Sequence, residues 1–472
     1  MKNIFFTFLA LLSCSIAFSQ SRIDWGSKFD VDFKSELDMQ LVMKDNYNYY
    51  MASVINRDGM LAQNQVIIRK FDQKNQLVNT FTQNFPQTDM FTLHFYKGSY
   101  EIGGNKFVVF AHCYSNKTKK AQLDQIVFDK TSGTFTTTTI LEYPIVSASK
   151  SGDLFIMRSE NKKYIGIVFQ KYGTKKDPEE SDCIVLDGLT LNEVWKKTIS
   201  FPIDSNTNQR VVTNSGRFAF IRTVKEVGYN DVLAMVDANG IENKDFGTAI
   251  KLQKPIAISI GTQDYLIAFN YPAKGIRRGD FGNIMMYDIQ LGKMLQNNDV
   301  EGFNSIKDIN EVVFRNVLIQ NNEIQLFVDC KFQAGTKPDP TFPNSSFTVP
   351  LYRYGHSCMI TFELDGKLKK KIDIGATDTY ADYNDSFGLI NYRGDYFLNL
   401  GFNGGFFKLS APNFTSRENK IYFNINSENR DYQYGEYINQ FFSYFPDSSK
   451  MLFAKRYTEG KMVFVTYNEI KL

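Results

Sequence analysis

Side chains that carry most acid–base and metal chemistry are scarce in this sequence. Its 472 residues include three histidines, two tryptophans and five cysteines. No cysteine belongs to a C-x-x-C pair, and the histidines are three in all, His94, His112 and His356, which argues against a Cys/His zinc site. An excess of one charge sign is lacking too. With 54 Lys+Arg against 51 Asp+Glu the formal charge is +3, so neither a nucleic-acid groove nor a polybasic membrane surface follows from charge. Also absent are the G-x-S-x-G elbow, the G-x-x-x-x-G-K-[ST] phosphate loop, the H-E-x-x-H helix and a full EF-hand loop. After Gln20 no apolar run reaches the ~20 residues that a membrane-spanning helix needs. No cofactor and no metal is implied by any motif.

What the chain has is aromatic and apolar mass. The 42 Phe and 26 Tyr, within 43% hydrophobic residues, supply a large core and favour pleated β structure over helical bundles. The N-terminus reads as a processing signal: Lys2 is followed by the apolar run Ile4 to Leu12, and Ala17-Phe18-Ser19 places small residues where a signal peptidase reads. Residues 1–19 are therefore a predicted signal peptide and 20–472 the mature chain, exported to the periplasm, to the outer membrane or out of the cell. Leu11-Leu12-Ser13-Cys14 offers the alternative of lipidation at Cys14. Without Cys14 four cysteines remain, Cys113, Cys183, Cys330 and Cys358, an even number that permits disulfides in an oxidising space.

A repeat sets the expected fold. A short apolar run ends in an acid, with Gly or Asn three to five residues later: Ile67 to Asp72 with Asn75, Ile126 to Asp129 with Gly133, Ile184 to Asp187 with Asn192, Val232 to Asp237 with Gly240, Met285 to Asp288 with Gly292, and Met359 to Glu363 with Gly366. Each copy is a hairpin, because the acid bonds its own backbone through the turn and Gly or Asn tolerates positive φ. Upstream lie nearly continuous apolar runs (Phe107 to Ala111, Ile165 to Phe169, Phe218 to Ile221, Tyr265 to Phe269, Phe397 to Leu400, Met451 to Ala454), the pattern of strands buried on both faces. A further strand precedes these, as in Met90 to Phe95, Leu154 to Met157, Val312 to Leu318 and Ile438 to Tyr444. The unit is thus four antiparallel strands recurring about every 56 residues, longer than the ~40–50 of short-blade propellers. Eight units fit, or seven if the last two share strands. The stretch Ile23 to Phe33 is expected to supply the fourth strand of the last sheet, closing the ring and removing its open edges.

On these phrases the chain resembles secreted bacterial eight-bladed β-propellers of the quinoprotein-like, WD40-like kind, over essentially its whole mature length. The turn and strand from Asp187 to Trp195 carry the resemblance most clearly. Those propellers keep a docking tryptophan in most blades, whereas this chain has Trp25 and Trp195 alone, so a quinone and its dehydrogenase chemistry are not carried over. The fold class is an all-β propeller of four-stranded blades in one domain.

Candidate functional residues cluster in the long links between second and third strands: Asn116 to Leu123, Tyr172 to Asp182, Pro272 to Gly282 and above all Ala334 to Gly355, with four prolines. Insertions of that size are usually functional, and proline lowers the entropy lost when a loop is held. Tyr352, Arg353 and Tyr354, with Arg277, Arg278 and Tyr172, form the expected ligand-binding set, since Tyr and Arg are enriched in binding hot spots. The expected partner is a protein or glycan of the cell envelope, met without catalysis. The alternative is a carbohydrate- or peptide-active enzyme using carboxylates such as Asp378 and Asp382, near Tyr380, Tyr383 and Asp385, at the channel mouth. His112 and His94, inside apolar runs, are core histidines on this reading. Cys330 and Cys358, on facing strands, are either a disulfide or two buried thiols; His356 beside Cys358 is not taken as an activated pair. The Arg-Gly-Asp triplets at 278–280 and 393–395 are turn residues, and Lys367 to Lys371 a charged strand edge.

Overall fold

A strand with neighbours on both faces cannot afford an alternating pattern, and loss of alternation is what the central strands of this protein show. The computed structural model describes residues 23–33, 35–42, 44, 47–55, 64–86, 92–115, 117–147, 150–174, 176–224, 230–272, 283–300, 309–338, 348–375, 379–380, 387–392, 395–399, 405–409, 417–422, 436–445 and 450–468. The predicted signal segment and Cys14 lie outside them, as do Arg277, Arg278, Asp378, Asp382, Tyr383, Asp385 and both Arg-Gly-Asp glycines.

The architecture is all-β, of the propeller class, built from sheets of four consecutive strands. Blade 1 holds Glu36–Val42, Asn48–Ile55, Gln65–Asp72 and Leu77–Asn84. Blade 2 holds Thr92–Ile102, Lys106–Ser115, Lys120–Asp129 and Thr134–Pro144, and blade 3 holds Asp153–Arg158, Tyr164–Gln170, Glu179–Asp187 and Glu193–Phe201. Blade 4 runs through Ser205–Val212, Phe218–Val224, Asn230–Val236 and Ile241–Lys244; blade 5 through Ile250–Ile260, Gln263–Pro272, Asn283–Asp288 and Lys293–Asp299. Blade 6 consists of Ile309–Gln320, Glu323–Pro338, Thr348–Glu363 and Leu368–Gly375, with Thr379–Tyr380 added to its third strand. Blade 7 comprises Gly388–Tyr392, Asp395–Asn399, Gly405–Leu409 and Arg417–Tyr422. Seven sheets have this form, the smaller of the two blade numbers that the repeat allows. The remaining sheet joins the chain ends and is made differently, from two strands of eight residues and four of two or three.

The chain divides into two compact units, Met1–Ser53, Ile67–Thr82 and Phe387–Leu472 in the first, Val54–Val66 and Gln83–Ser386 in the second. In the second unit, blades 2 to 6 pack through their middle strands. Ile165, Ile167 and Phe169 of blade 3 join Val108, Phe110 and Leu123 of blade 2, while the intervening Val168 turns to Phe218 and Phe220 of blade 4. The same division continues from blade 4 to 5 and from 5 to 6. Each such side chain contributes roughly 1.5–3 kcal/mol relative to exposure. At Gly166 the fit is so close that a Cβ would stand 2.5 Å from the Phe218 ring, so glycine is the residue that lets these blades meet.

The first unit is closed by its own ends. Ile23–Trp25 pairs with the C-terminal strand Lys461–Asn468 in the register Ile23↔Tyr467 to Trp25↔Val465, and Phe29 adds opposite Met462, as expected for a shared last sheet. Asn75, buried and at φ 61°, locks this seam. Its amide donates to the Asp24 carbonyl (2.9 Å) and Thr466 Oγ1 (3.1 Å), and it accepts from Tyr49 Oη (2.9 Å). Gly26 passes so near that a Cβ would lie 2.2 Å from the Asn75 carbonyl oxygen. Nearby, Arg69 grips Glu36 with both terminal nitrogens (2.7 and 2.8 Å). Burial pushes the Glu36 carboxyl up, but Arg69 and the Ser53 hydroxyl more than reverse this and leave it below its ordinary value. One expectation fails here: Ile438 to Tyr444 is not a strand, because a 3₁₀ turn at Asn439–Phe441 splits the edge into Glu436–Tyr437 and Ser443–Phe445.

Lys455 is the costly residue of this sheet. It is 2% exposed, lies 5.8 Å from the Trp25 ring and 4.9 Å from that of Tyr437, and burial pulls its ammonium from 10.5 down to about 8. Because the folded value is the lower one, the full cost applies below pH 8 and is relieved as pH rises toward 10.5. Lys455→Met is therefore expected to raise stability at pH 7 by up to about 3 kcal/mol, with the difference shrinking above pH 8. Urea unfolding of both proteins from pH 7 to 10.5 checks this, and an unchanged or lower midpoint for the variant contradicts it.

Candidate functional site

Once the apolar middles of the strands are committed to packing, polar side chains are left to the strand ends and to the first strand of each blade. The third strands of blades 2 to 6 carry a polar residue five or six positions before the turn acid: Asp124, Asp182, Asp231, Asn283 and Ser357. Hydroxyls satisfy the three acids, with Thr139 to Asp124, Thr198 to Asp182 and Thr223 to Asp231 all at 2.6 Å. Two acids reach the next blade. Glu179 accepts from the Thr207 backbone (3.1 Å) and hydroxyl (2.6 Å), and Asp231 from the Leu252 backbone (2.8 Å) and Lys251 Nζ (2.9 Å).

Further buried and half-buried polar groups lie on blades 2 to 4. Buried His112 shares a 2.5 Å hydrogen bond with Tyr143, whose ring centroid is 3.8 Å from that of Phe169. Burial, helped by the charge of Lys97, pulls the imidazole down to about 4, and burial with the charge of Asp153 pushes the Tyr143 phenol up. Burial depresses Lys97 against the pull of the exposed Asp153, and depresses Arg210 against the pull of Glu179 and Asp153. Arg210 lies 3.9 Å over the Phe155 ring and donates to Gln170, while its Nε is buried without an acceptor. Arg222 lies 3.6 Å over Phe201 and 3.3 Å from Glu179, and burial brings it down to about 10. Chemically these side chains offer cationic donors, an exposed carboxylate at Asp153 and aromatic faces. Among the described residues no group of three or more His, Cys, Asp or Glu side chains is placed to hold a metal ion.

The expected binding set is only partly assembled. Within Ala334 to Gly355 the described residues, 334–338 and 348–355, are strand, and 339–347 lie outside the described residues. The second and third strands of blade 6 continue as an antiparallel ribbon through Gln333↔Tyr352, Gly335↔Leu351 and Pro338↔Thr348, beyond Ile309↔Phe332 where the first strand begins. Extended pairing wins over proline-rich composition because Pro338 and Pro350 sit past that point, where fewer ladder bonds are required of them. Tyr352 and Tyr354 lie on this arm under cations, Lys331 Nζ at 4.8 Å and Arg315 at 4.2 Å, and Arg353 pairs across to Phe332 and Tyr380. Tyr172 is 48% exposed on blade 3, with Lys150 Nζ 5.8 Å from its ring. The expected link there is shorter than Tyr172 to Asp182, since the strand resumes at Glu179.

Cys330 and Cys358 are free thiols buried in one core, so of the two readings for the pair the disulfide is set aside. A register shift places Val328 opposite Cys358 and Gly355 opposite Cys330. Burial raises both, Cys330 to about 12. His94 Nε2 meets the Pro86 carbonyl at 2.6 Å. The hydrogen bond between His112 and Tyr143 was not anticipated. A second polar repeat, five or six residues ahead of the turn acid in blades 2 to 6, was there to be read in the sequence.

No protein-family model matches the sequence, and no curated protein matches it. Solved structures that align with the chain include a prolyl endopeptidase, at 11% identity over 91% of this chain and 55% of that one, TM-score 0.40. Others are the β-propeller domain of the Trilobed protease from Pyrococcus furiosus, at 10% identity over 83% and 98%, TM-score 0.36, and an acylaminoacyl peptidase from Pyrococcus horikoshii, at 10% over 80% and 59%, TM-score 0.35. The chain spans about half the length of the prolyl endopeptidase. At this likeness the propeller class rests on the sheet topology itself.

His112 is expected to titrate near pH 4 and not near 6.5. As pH falls through that window the unfolded chain takes the proton first, so the folded state loses up to about 3 kcal/mol between pH 6.5 and 4. Ring carbon shifts followed by NMR check this, and a midpoint near 6.5 contradicts it.

Proposed function

We propose that this chain is an exported, non-catalytic propeller that binds a protein or glycan of the cell envelope through the arm of blade 6. The arm carries the reading. Its strands are 16 residues each, Glu323–Pro338 and Thr348–Glu363, and they outrun the rest of the blade while carrying Tyr352, Arg353 and Tyr354. A ribbon that leaves its sheet gives up the packing that stabilises the other blades, and Tyr with Arg at such a place suits a partner surface. Arg277 and Arg278 belong to the proposed surface from the link that follows the second strand of blade 5. Among the described residues no helix is long and apolar enough to cross a membrane. Export rests on residues 1–19, whose charge, apolar run and small-residue site fit a signal peptide.

Replacing residues 333–352 by Asn-Gly, which closes Phe332 onto Arg353 with a two-residue turn, is expected to abolish recovery of a partner from detergent-solubilised envelope. Circular dichroism and the melting temperature are expected to stay at wild-type values. Tyr352→Ala and Arg353→Ala are each expected to weaken the same capture about tenfold. Equal recovery by the folded deletion contradicts the proposal.

A further inference from the structure

A β-bulge re-aims a side chain out of the alternation that packing imposes. First strands of the second unit carry such bulges at Lys97 between Tyr96 and Gly98, at Asn208 between Thr207 and Gln209, and at Arg315 between Phe314 and Asn316. In blade 6 the bulge serves the arm. Arg315 Nε donates to Asp329, which is fully buried and also accepts from Ser357 Oγ, and the Arg315 guanidinium lies 4.2 Å from the centre of the Tyr354 ring. A chain of contacts thus runs from the core of the blade to the first ring of the arm.

Register places the next groups. Lys331 stands opposite Tyr354 and Gln333 opposite Tyr352, while Phe332 and Arg353 take the other face. Lys331 Nζ lies 4.8 Å from the centre of the Tyr352 ring. Half-buried Tyr352 and Tyr354 are therefore two rings on one face, roughly 7 Å apart along the strand, each with a cation on one side and its other side left to a ligand. Over residues 331–355 the sequence has three basic residues, Lys331, Lys337 and Arg353, against one acid, Asp339, in a chain that is otherwise close to neutral. Such a surface is complementary to an anion. Two rings in a row with cations beside them match a polymer that repeats an apolar ring face and a carboxylate. An acidic peptide offers carboxylates without flat faces to cover the tyrosines, and a nucleic acid calls for a broader basic footprint than this chain has.

We propose that Tyr352, Tyr354 and Lys331 bind a linear acidic polysaccharide, its sugar rings on the tyrosines and a carboxylate on Lys331, with Arg315 holding the Tyr354 ring to the blade. This inference rests on the reading of the arm as the binding element and narrows its partner to a glycan bearing acid groups.

Hexagalacturonate is the probe, titrated calorimetrically into the whole mature chain, with maltohexaose, hexaglutamate and oligothymidylate as comparisons. It is expected to bind at least tenfold more tightly than any of the three. Lys331→Gln and Tyr352→Ala are each expected to weaken it at least fivefold, Lys331→Arg and Lys367→Gln, the latter at an exposed turn away from the arm, by less than twofold. Replacing residues 333–352 by Asn-Gly is expected to abolish it. Should Tyr352→Ala fail to fold, Lys331→Gln, which keeps most of the side chain, decides. No binding of hexagalacturonate at millimolar concentration overturns the proposal. So does equal binding of maltohexaose, which would mark a neutral glycan site, or of hexaglutamate or oligothymidylate, which would mark a peptide or nucleic-acid surface. Equal loss in Lys331→Gln and Lys367→Gln, or binding that survives the replacement, overturns it as well. Envelope capture that is lost on the replacement while hexagalacturonate does not bind overturns this inference alone and leaves the arm's role standing.

Discussion

Burial of the second strand of each blade on both its faces is the constraint from which the rest of the structure follows. Ile165, Ile167 and Phe169 face one neighbour and Val168 the other, and Gly166 is where the interface has no room for a methyl group. Apolar area removed from water on two sides stabilises a strand that has no solvent face at all. The apolar middle of each second strand is then committed to packing, and polar side chains gather mostly toward strand ends, at bulges of first strands, and where strands leave the sheet.

All three exits are used. Strand ends hold the acids that tie one blade to the next, as Glu179 does to Thr207 and Asp231 to Leu252. Buried charge of this kind is held by hydrogen bonds and costs more to break than it contributes in place. Bulges on first strands turn Lys97 and Arg315 away from the alternating pattern. The arm of blade 6 is the third exit, and its exposed end is freed from the packing that determines sequence elsewhere. In the first unit the same logic places Asn75 at a seam where backbone groups of both chain ends need partners.

How much of this was legible in the sequence depends on the distance over which each signal acts. Ile165 to Phe169 declares itself within five residues because alternation is missing, and Asp187 with Asn192 declares its turn because local hydrogen bonds make it, Asp187 Oδ1 taking the Leu189 and Thr190 amides. The pairing of Ile23 with Tyr467 was legible for a topological reason, since the last unit lacks a fourth strand. Composition misled at the arm, where prolines suggested a loop although Pro338 faces Thr348 across a ribbon. At Asn439–Phe441 apolar content suggested a strand where a 3₁₀ turn lies. The hydrogen bond of His112 with Tyr143 stayed hidden because the two stand on different strands, 31 residues apart, and only the fold brings them together.

Two-sided burial is tested most directly by native-state hydrogen exchange read strand by strand. Amides of Phe107 to Ala111, Ile165 to Phe169, Phe218 to Ile221 and Tyr265 to Phe269 should exchange only through global unfolding, with the outer strands and the bulged residues around Lys97 and Asn208 opening locally and sooner. Central strands that exchange as fast as the outer ones would mean that packing between blades is not what holds them, and the confinement of function to bulges, strand ends and the arm would lose its cause.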